Sequence, residues 1–208
     1  MLNRAKKKAM LKATILEVIV AFICSSLFIG LIFFIFYSPI QEVFQMIDLV
    51  SEKSNKKILK DVKLNLKTKN LESYPEYGTK YATLSIPSVN IEQPIYYGDD
   101  NETLKYGVGQ YIASYFPGEG GSILYMGHNT SNMLRNLPNV SLGDEIIVTT
   151  NYGTYHYQID DTKIIQDTEL DKVPIKREGE VLMLYTCYPT TTVVYTPYRF
   201  VVYAPLKQ

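Results

Sequence analysis

The chain has 208 residues, with 21 basic and 21 acidic side chains and a formal net charge of +0. This length fits one ordinary domain with an appendage. The balanced charge excludes the strongly basic composition that is typical of nucleic-acid-binding proteins.

The N-terminus combines a basic cluster with a long apolar run, 18–37, that carries no charge. A helix of that length is about 30 Å long, which matches the hydrocarbon thickness of a bilayer. A core helix would alternate with polar residues, and a cleaved signal peptide has a shorter apolar region with small residues at its cleavage site. The pattern therefore predicts a retained transmembrane anchor at 18–37, with a cytoplasmic basic tail at 1–17 and the remainder outside the cell. The basic residues are Arg4, Lys6, Lys7, Lys8 and Lys12.

Residues 38–80 are rich in Lys, Glu, Asn and Ser, with scattered aliphatic residues. Apolar residues at helical spacing near 43–50 predict a short helix before a solvated linker. We interpret 38–80 as an extracellular stalk. The alternative is a segment that packs over the functional site as a lid.

Beyond residue 79, short runs rich in β-branched and aromatic residues alternate with turn residues. Short helices are predicted at 103–106 and around 132–137, and "NYG" at 151–153 predicts a hairpin loop. The pattern indicates an all-β domain over residues 81–208, either a closed barrel or a sandwich. Eight strands are predicted, at 81–86, 90–96, 106–112, 122–127, 145–150, 154–165, 181–187 and 199–204.

Cys187 is the only cysteine outside the predicted anchor, because Cys24 lies within the apolar run. An internal disulfide is therefore excluded. A structural zinc site requires about four Cys or His ligands, and this part of the chain offers only Cys187, His128 and His156. Two interpretations remain, an inert buried thiol and a nucleophile.

His128, Cys187 and Arg199 each stand at the end of a predicted strand. A thiolate and an imidazole can serve as nucleophile and proton donor in acyl transfer, and a guanidinium can hold the oxyanion that develops. His156 lies inside the strand predicted at 154–165, which indicates a structural or surface imidazole. These placements are consistent with a nucleophile, and the inert thiol remains the alternative.

Three motifs occur in a fixed order behind a single N-terminal anchor: "GHNT" around His128, "TCYP" around Cys187 and "YRFVVYA" around Arg199. Together they resemble the sortases of Gram-positive bacteria, over about residues 81–206. The cysteine followed by Tyr-Pro is most similar to the class D sortases. The resemblance implies a sortase-type β-barrel of eight strands and a cysteine transpeptidase that cleaves an LPXTG-type sorting signal after its threonine.

The resemblance also implies roles for individual residues. Cys187 would carry a thioacyl intermediate, His128 would act as general acid and base, and Arg199 would stabilise the substrate and the oxyanion. The acceptor would be an amine of a peptidoglycan cross-bridge or of its lipid-linked precursor. Met183 stands where the family often has threonine. Substrate-contacting residues would be Thr186, Tyr188 and Pro197.

No cofactor is expected to be required, and calcium is kept as an alternative because some members of the family bind it through acidic loop residues. We interpret the acidic residues of this chain as a solvated surface. The predicted function is a membrane-anchored cysteine transpeptidase, and the alternative is an extracellular binding or scaffolding barrel without turnover. The calcium candidates are Asp99, Asp100, Glu102, Asp167 and Glu169.

Overall fold

The structure is a computed structural model of the chain that describes residues 14–34, 63–65, 68–190 and 196–207. The chain forms two compact units, Met1–Phe44 and Gln45–Gln208. The helix predicted near 43–50 lies outside the described residues.

Helix α1, Thr14–Phe34, is 21 residues long and apolar enough to cross a membrane. It begins four residues before the predicted anchor, and 35–37 lie outside the described residues. Its apolar side chains are exposed throughout the described segment. This exposure is that expected of a membrane-spanning helix rather than of a buried core helix.

The second unit is built from β-strands, as predicted. A two-stranded hairpin comprises β1, Leu64–Asn65, and β2, Asn70–Leu71. The strands that follow are β3 Lys80–Ile86, β4 Ile91–Tyr97, β5 Val108–Gln110, β6 Ile123–Gly127, β7 Glu145–Thr150, β8 Thr154–Gln158, β9 Asp161–Gln166, β10 Val181–Tyr188 and β11 Tyr198–Pro205.

These nine strands, β3 to β11, form one curled sheet in the order β8-β7-β3-β4-β5-β6-β10-β11-β9. A bridge between Tyr157 and Leu206 joins β8 to the residue that follows β11. Most neighbouring strands are antiparallel, but β4 and β5 run parallel, and so do β6 and β10. The C-terminal ends of β6 and β10 therefore lie at the same edge of the sheet.

The strand predicted at 154–165 is two strands in the structure. β8 pairs with β7, whereas β9 pairs with β11. The chain thus changes its neighbour at Ile159 and Asp160, where the predicted strand is interrupted. The predicted hairpin at 151–153 is confirmed, because the Thr150 amide donates to the Gly153 carbonyl at 2.9 Å.

The predicted short helices differ from those observed. Helix α2, Asn101–Leu104, begins after Asp100, whose Oδ1 accepts from the Thr103 amide at 2.6 Å. This side chain caps the helix and sets its start two residues before the predicted one. Residues 132–137 form turns rather than a helix, and they lead into a short 3₁₀ helix at Leu137–Asn139.

The inner face of the curled sheet carries the main apolar core. Along β10 and β11 the side chains alternate, because successive residues of a strand point to opposite faces. Leu182, Leu184 and Thr186 are fully buried on the inner face. The opposite face of β10 carries Tyr185 and Cys187, which are half-buried.

Part of the predicted stalk packs against the sheet. Leu71 is 5% exposed and belongs to the main core. The Leu71 amide and the Tyr74 hydroxyl donate to Glu119 Oε1 at 3.1 and 2.8 Å. Packed structure therefore begins before residue 81, the predicted start of the catalytic domain, because an apolar side chain and a carboxylate bind this segment to the sheet.

Candidate active site

Three neighbouring strands bring His128, Cys187 and Arg199 to one edge of the sheet. Gly127 at the end of β6 is the parallel partner of Thr186 in β10. His128 and Cys187 each follow one of these partners directly. Cys187 is in turn the antiparallel partner of Arg199 in β11. Direct cross-strand partners project their side chains from the same face, so the thiol and the guanidinium share the outer face of the sheet.

A buried threonine holds β6 and β10 in this register. The Thr186 hydroxyl donates to the Gly127 carbonyl at 2.9 Å, and the Thr186 side chain is fully buried. A substrate contact through this hydroxyl, as predicted from the resemblance, would require the buried side chain to become accessible. In the structure Thr186 fixes the register that places His128 beside Cys187.

The loop that carries His128 is fixed by its own backbone. The Leu134 amide donates to the His128 carbonyl at 3.1 Å. Leu134 also packs on Gly127, where an added Cβ would lie 2.8 Å from Leu134 Cδ1. A larger residue at this position would therefore displace the Leu134 side chain from β6. Burial lowers the pKa of His128, because desolvation disfavours the charged imidazole.

This lowered pKa has a consequence for stability. The unfolded chain binds more protons at this histidine than the folded chain, so the contribution of His128 to stability is complete above about pH 6.5 and is lost as the pH falls through the folded-state pKa. We expect the Tm of the full chain in detergent, followed by circular dichroism, to fall less between about pH 7.5 and pH 5 in His128→Gln than in the unmodified chain. Equal falls in Tm would contradict this expectation.

Cys187 is free and half-buried. It occupies the penultimate position of β10, on the face opposite the main core, so solvent and ligands reach it more readily than a core thiol. Tyr188 follows it and packs on the core, with its ring centroid 6.1 Å from that of Phe200. The Tyr188 carbonyl accepts from the Thr196 hydroxyl, and this bond closes the loop between β10 and β11.

Hydrogen bonds fix the Arg199 side chain on the outer face. Its Nη1 donates to the carbonyls of Thr196 and Tyr198 at 2.6 and 2.8 Å, and its Nη2 lies 3.4 Å from Asp167 Oδ2. Pro197, a predicted substrate contact, is exposed in this loop, and its carbonyl accepts from the Asp167 amide at 2.8 Å. The guanidinium is thereby attached to both β11 and the residue after β9.

A cavity of about 580 Å³ lies beside Arg199 on the outer face. It is lined mainly by apolar side chains, with the Tyr185 phenol and three carboxylates among them. Tyr185 stands two residues before Cys187 on the same face, so one residue of the lining belongs to the strand that carries the thiol. The lining of the cavity includes Leu124, Met126, Ile165, Leu170, Val173, Ile175, Asp99, Asp167 and Glu169.

Three of the five candidate calcium ligands, Asp99, Asp167 and Glu169, line the cavity. Asp100 caps α2, Glu102 pairs with Lys105 at 2.7 Å, and Asp167 contacts Arg199. Glu169 accepts from the Gln166 amide at 2.8 Å. Among the described residues, no three His, Cys, Asp or Glu side chains form a group that could hold a metal ion.

The second histidine of the chain, His156, does not lie at this site. It is in the middle of β8, where its Nδ1 is 3.1 Å from Glu145 Oε1. Its side chain is 47% exposed. β8 meets the chain just after β11, where the Lys207 amide donates to the His156 carbonyl at 2.7 Å, at the end of β11 opposite Arg199. His156 is therefore the surface imidazole that its strand position predicted.

A thiol, an imidazole and a guanidinium lie at one edge of a curled β-sheet, beside an apolar cavity. The fold and the site are those of a cysteine transpeptidase. A sequence model of the Sortase domain matches residues 84–207. This is more than half of the chain, and the chain therefore belongs to the sortase family.

The relatives include class D members. Sortase D of Bacillus subtilis (strain 168) is 37% identical over 136 residues, which cover 65% of this chain and 68% of the relative. Among solved structures, a sortase D5 transpeptidase of Clostridium perfringens has a TM-score of 0.59 at 22% identity, covering 65% of this chain and 83% of that one. A lid mutant of sortase A from Corynebacterium diphtheriae has a TM-score of 0.57 at 27% identity, covering 62% and 70%.

Some residues of the site were not predicted from the sequence. Tyr185 and Met126 line the cavity, and Asp167 appears in the sequence only as one of several scattered acids. The period of two along β10 could have identified Tyr185, because it places residues 183, 185 and 187 on one face. The contact of Asp167 with Arg199 has no local signal, since the two are 32 positions apart.

Proposed function

We propose that this sortase is membrane-anchored, cleaves an LPXTG-type sorting signal after its threonine, and joins the new carbonyl end to a cell-wall amine. One observation carries the proposal: Cys187 is the direct cross-strand partner of Arg199, and His128 follows the residue paired with Thr186. A nucleophile, a proton-transfer group and a fixed cation thus meet beside one cavity, as acyl transfer requires.

In the first step the Cys187 thiolate attacks the carbonyl carbon of the substrate threonine. A carbon–sulfur bond forms, and the carbonyl electrons move to the oxygen, where the Arg199 guanidinium stabilises the negative charge. The carbon–nitrogen bond then breaks as the His128 imidazolium transfers its proton to the leaving amine. The products are a thioacyl enzyme and a C-terminal fragment with a free amine.

In the second step an acceptor amine attacks the thioester. The neutral His128 imidazole removes the proton of the incoming amine, and the carbon–sulfur bond breaks to restore the thiolate. Burial favours this neutral form, because it lowers the pKa of His128. One amide has replaced another, so the reaction needs no redox cofactor.

The cavity suits the apolar part of such a signal. Leu124, Met126 and Val173 supply an apolar lining of the kind that accepts Leu and Pro side chains. Tyr188 ends β10 directly after Cys187, and Pro197 precedes β11. We propose that both contact the substrate near its scissile bond.

Helix α1 is proposed as the anchor, with the basic residues before it in the cytoplasm and Gln45–Gln208 outside. The acceptor is then an amine of the peptidoglycan cross-bridge or of a lipid-linked precursor, since these occur on the outer side of the membrane. The clients are proteins that carry an LPXTG-type signal. No metal ion is proposed to take part in the chemistry.

The test uses the full chain in detergent, a library of LPXTG-type peptides and a set of amines that includes glycine oligomers and hydroxylamine. Mass spectrometry should detect the C-terminal fragment together with the new amide or, with hydroxylamine, the hydroxamate of the threonine end. Cleavage at another bond would refute the proposed signal. Cleavage without any amine-dependent product would refute the transfer step.

A further inference from the structure

We infer that Asp167 is a positioning residue that fixes the orientation of the Arg199 guanidinium for the transfer reaction. The inference rests on the proposed function, because it assigns to Asp167 a role through Arg199. Asp167 follows the last residue of β9 and contacts Arg199 through Oδ2 at 3.4 Å.

The geometry gives the guanidinium a second point of attachment. Both backbone acceptors, the carbonyls of Thr196 and Tyr198, bind the same nitrogen, Nη1. A planar group held at one nitrogen can still pivot about it. The contact of Nη2 with Asp167 removes this freedom and fixes the plane of the fork.

A count of the N–H donors of Arg199 indicates which of them remain available to a substrate. An arginine side chain has about five N–H donors in a rigid fork. The Thr196 and Tyr198 carbonyls and Asp167 Oδ2 engage three of them. Nε–H and one Nη2–H of Arg199 have no partner among the described residues, and they are the donors that a substrate carbonyl or oxyanion would use.

Asp167 is itself held in place, as a positioning residue must be. Its amide donates to the Pro197 carbonyl at 2.8 Å. This bond ties the end of β9 to the loop that supplies the backbone acceptors of Arg199. The side chains of Arg199 and Asp167 are only 18% and 23% exposed, so water and salt screen their contact less than that of an open surface pair.

The test is a double-mutant cycle in the full chain, with peptide cleavage as the readout. We expect Asp167→Ala to lower kcat by about tenfold with a smaller change in KM, because a misplaced group costs up to about 100-fold in rate. Asp167→Asn keeps one acceptor oxygen in the same place, and we expect it to retain more activity than Asp167→Ala. In an Arg199→Lys background, Asp167→Ala should have less than about a twofold effect, since lysine has no fork to orient.

Asp161→Asn is the matched control. Asp161 begins β9, pairs with Lys163 at 2.8 Å and does not line the cavity. The substitution removes the same charge at the other end of β9, and the turnover of the variant should equal that of the unmodified chain.

Two outcomes would overturn the inference: wild-type kinetics in Asp167→Ala, or an equal loss in the Arg199 and Arg199→Lys backgrounds, which would indicate a role in folding alone. Measured Tm values identify any variant that fails to fold. If Asp167→Ala fails to fold, the isosteric Asp167→Asn takes its place. A loss of kcat that Asp167→Asn causes in the Arg199 background, but not in the Arg199→Lys background, supports the positioning role. Absence of Cys187-dependent cleavage in the unmodified chain would instead refute the proposed function.

Discussion

Cys187→Ala is expected to abolish release of the C-terminal fragment from an LPXTG-type peptide, with a loss of about 10⁴-fold or more. The sulfur forms the covalent bond of the proposed intermediate, and an alanine offers no atom that could replace it. Removing the nucleophile of a catalytic unit costs about as much as removing the whole unit. Mass spectrometry of a peptide reaction stopped in acid should show the thioacyl adduct on the unmodified chain and none on the variant.

The chain offers a matched control for this experiment. Cys24 is the other cysteine, and it lies in α1, outside the sheet unit. Cys24→Ala removes a thiol from the same chain without touching the site, so it should leave turnover unchanged. Persistent cleavage by Cys187→Ala would mean that the nucleophile is another residue or that the observed activity comes from a contaminant.

The place of Cys187 at the end of a strand was predictable from the sequence. A lone cysteine at the end of an apolar strand, with His128 and Arg199 at the ends of two others, could be identified from strand patterns alone. The motifs around these residues then indicated the family, which the Sortase domain match confirms. Local sequence was sufficient because each motif combines a strand end with the turn that follows it.

The register between strands was not predictable in the same way. Thr186 and Gly127 are 59 positions apart, and their hydrogen bond decides that His128 and Cys187 lie side by side. The same limit explains the division of 154–165 into β8 and β9, which follows from pairing with two different neighbours. Tertiary partners determine both features, and no short window of sequence contains them.

His128→Ala and His156→Ala are expected to have very different effects on turnover. His128 is proposed to protonate the leaving amine and to deprotonate the incoming one, and general acid–base catalysis contributes about 10²- to 10⁴-fold. We therefore expect His128→Ala to lower kcat by at least about 100-fold in the peptide cleavage assay. His156 lies in β8 beside Glu145 and meets the chain at the end of β11 opposite Arg199, so His156→Ala should retain kcat within about twofold.

The comparison separates a catalytic imidazole from a stabilising one. The imidazole of His128 is half-buried, so its loss could also loosen the loop that Leu134 binds. His128→Gln keeps a polar side chain of similar reach but cannot exchange a proton near neutral pH, and it should therefore be as inactive as His128→Ala while retaining the native Tm. Recovery of activity in His128→Gln, or a loss in His156→Ala as large as that in His128→Ala, would contradict the role proposed for His128.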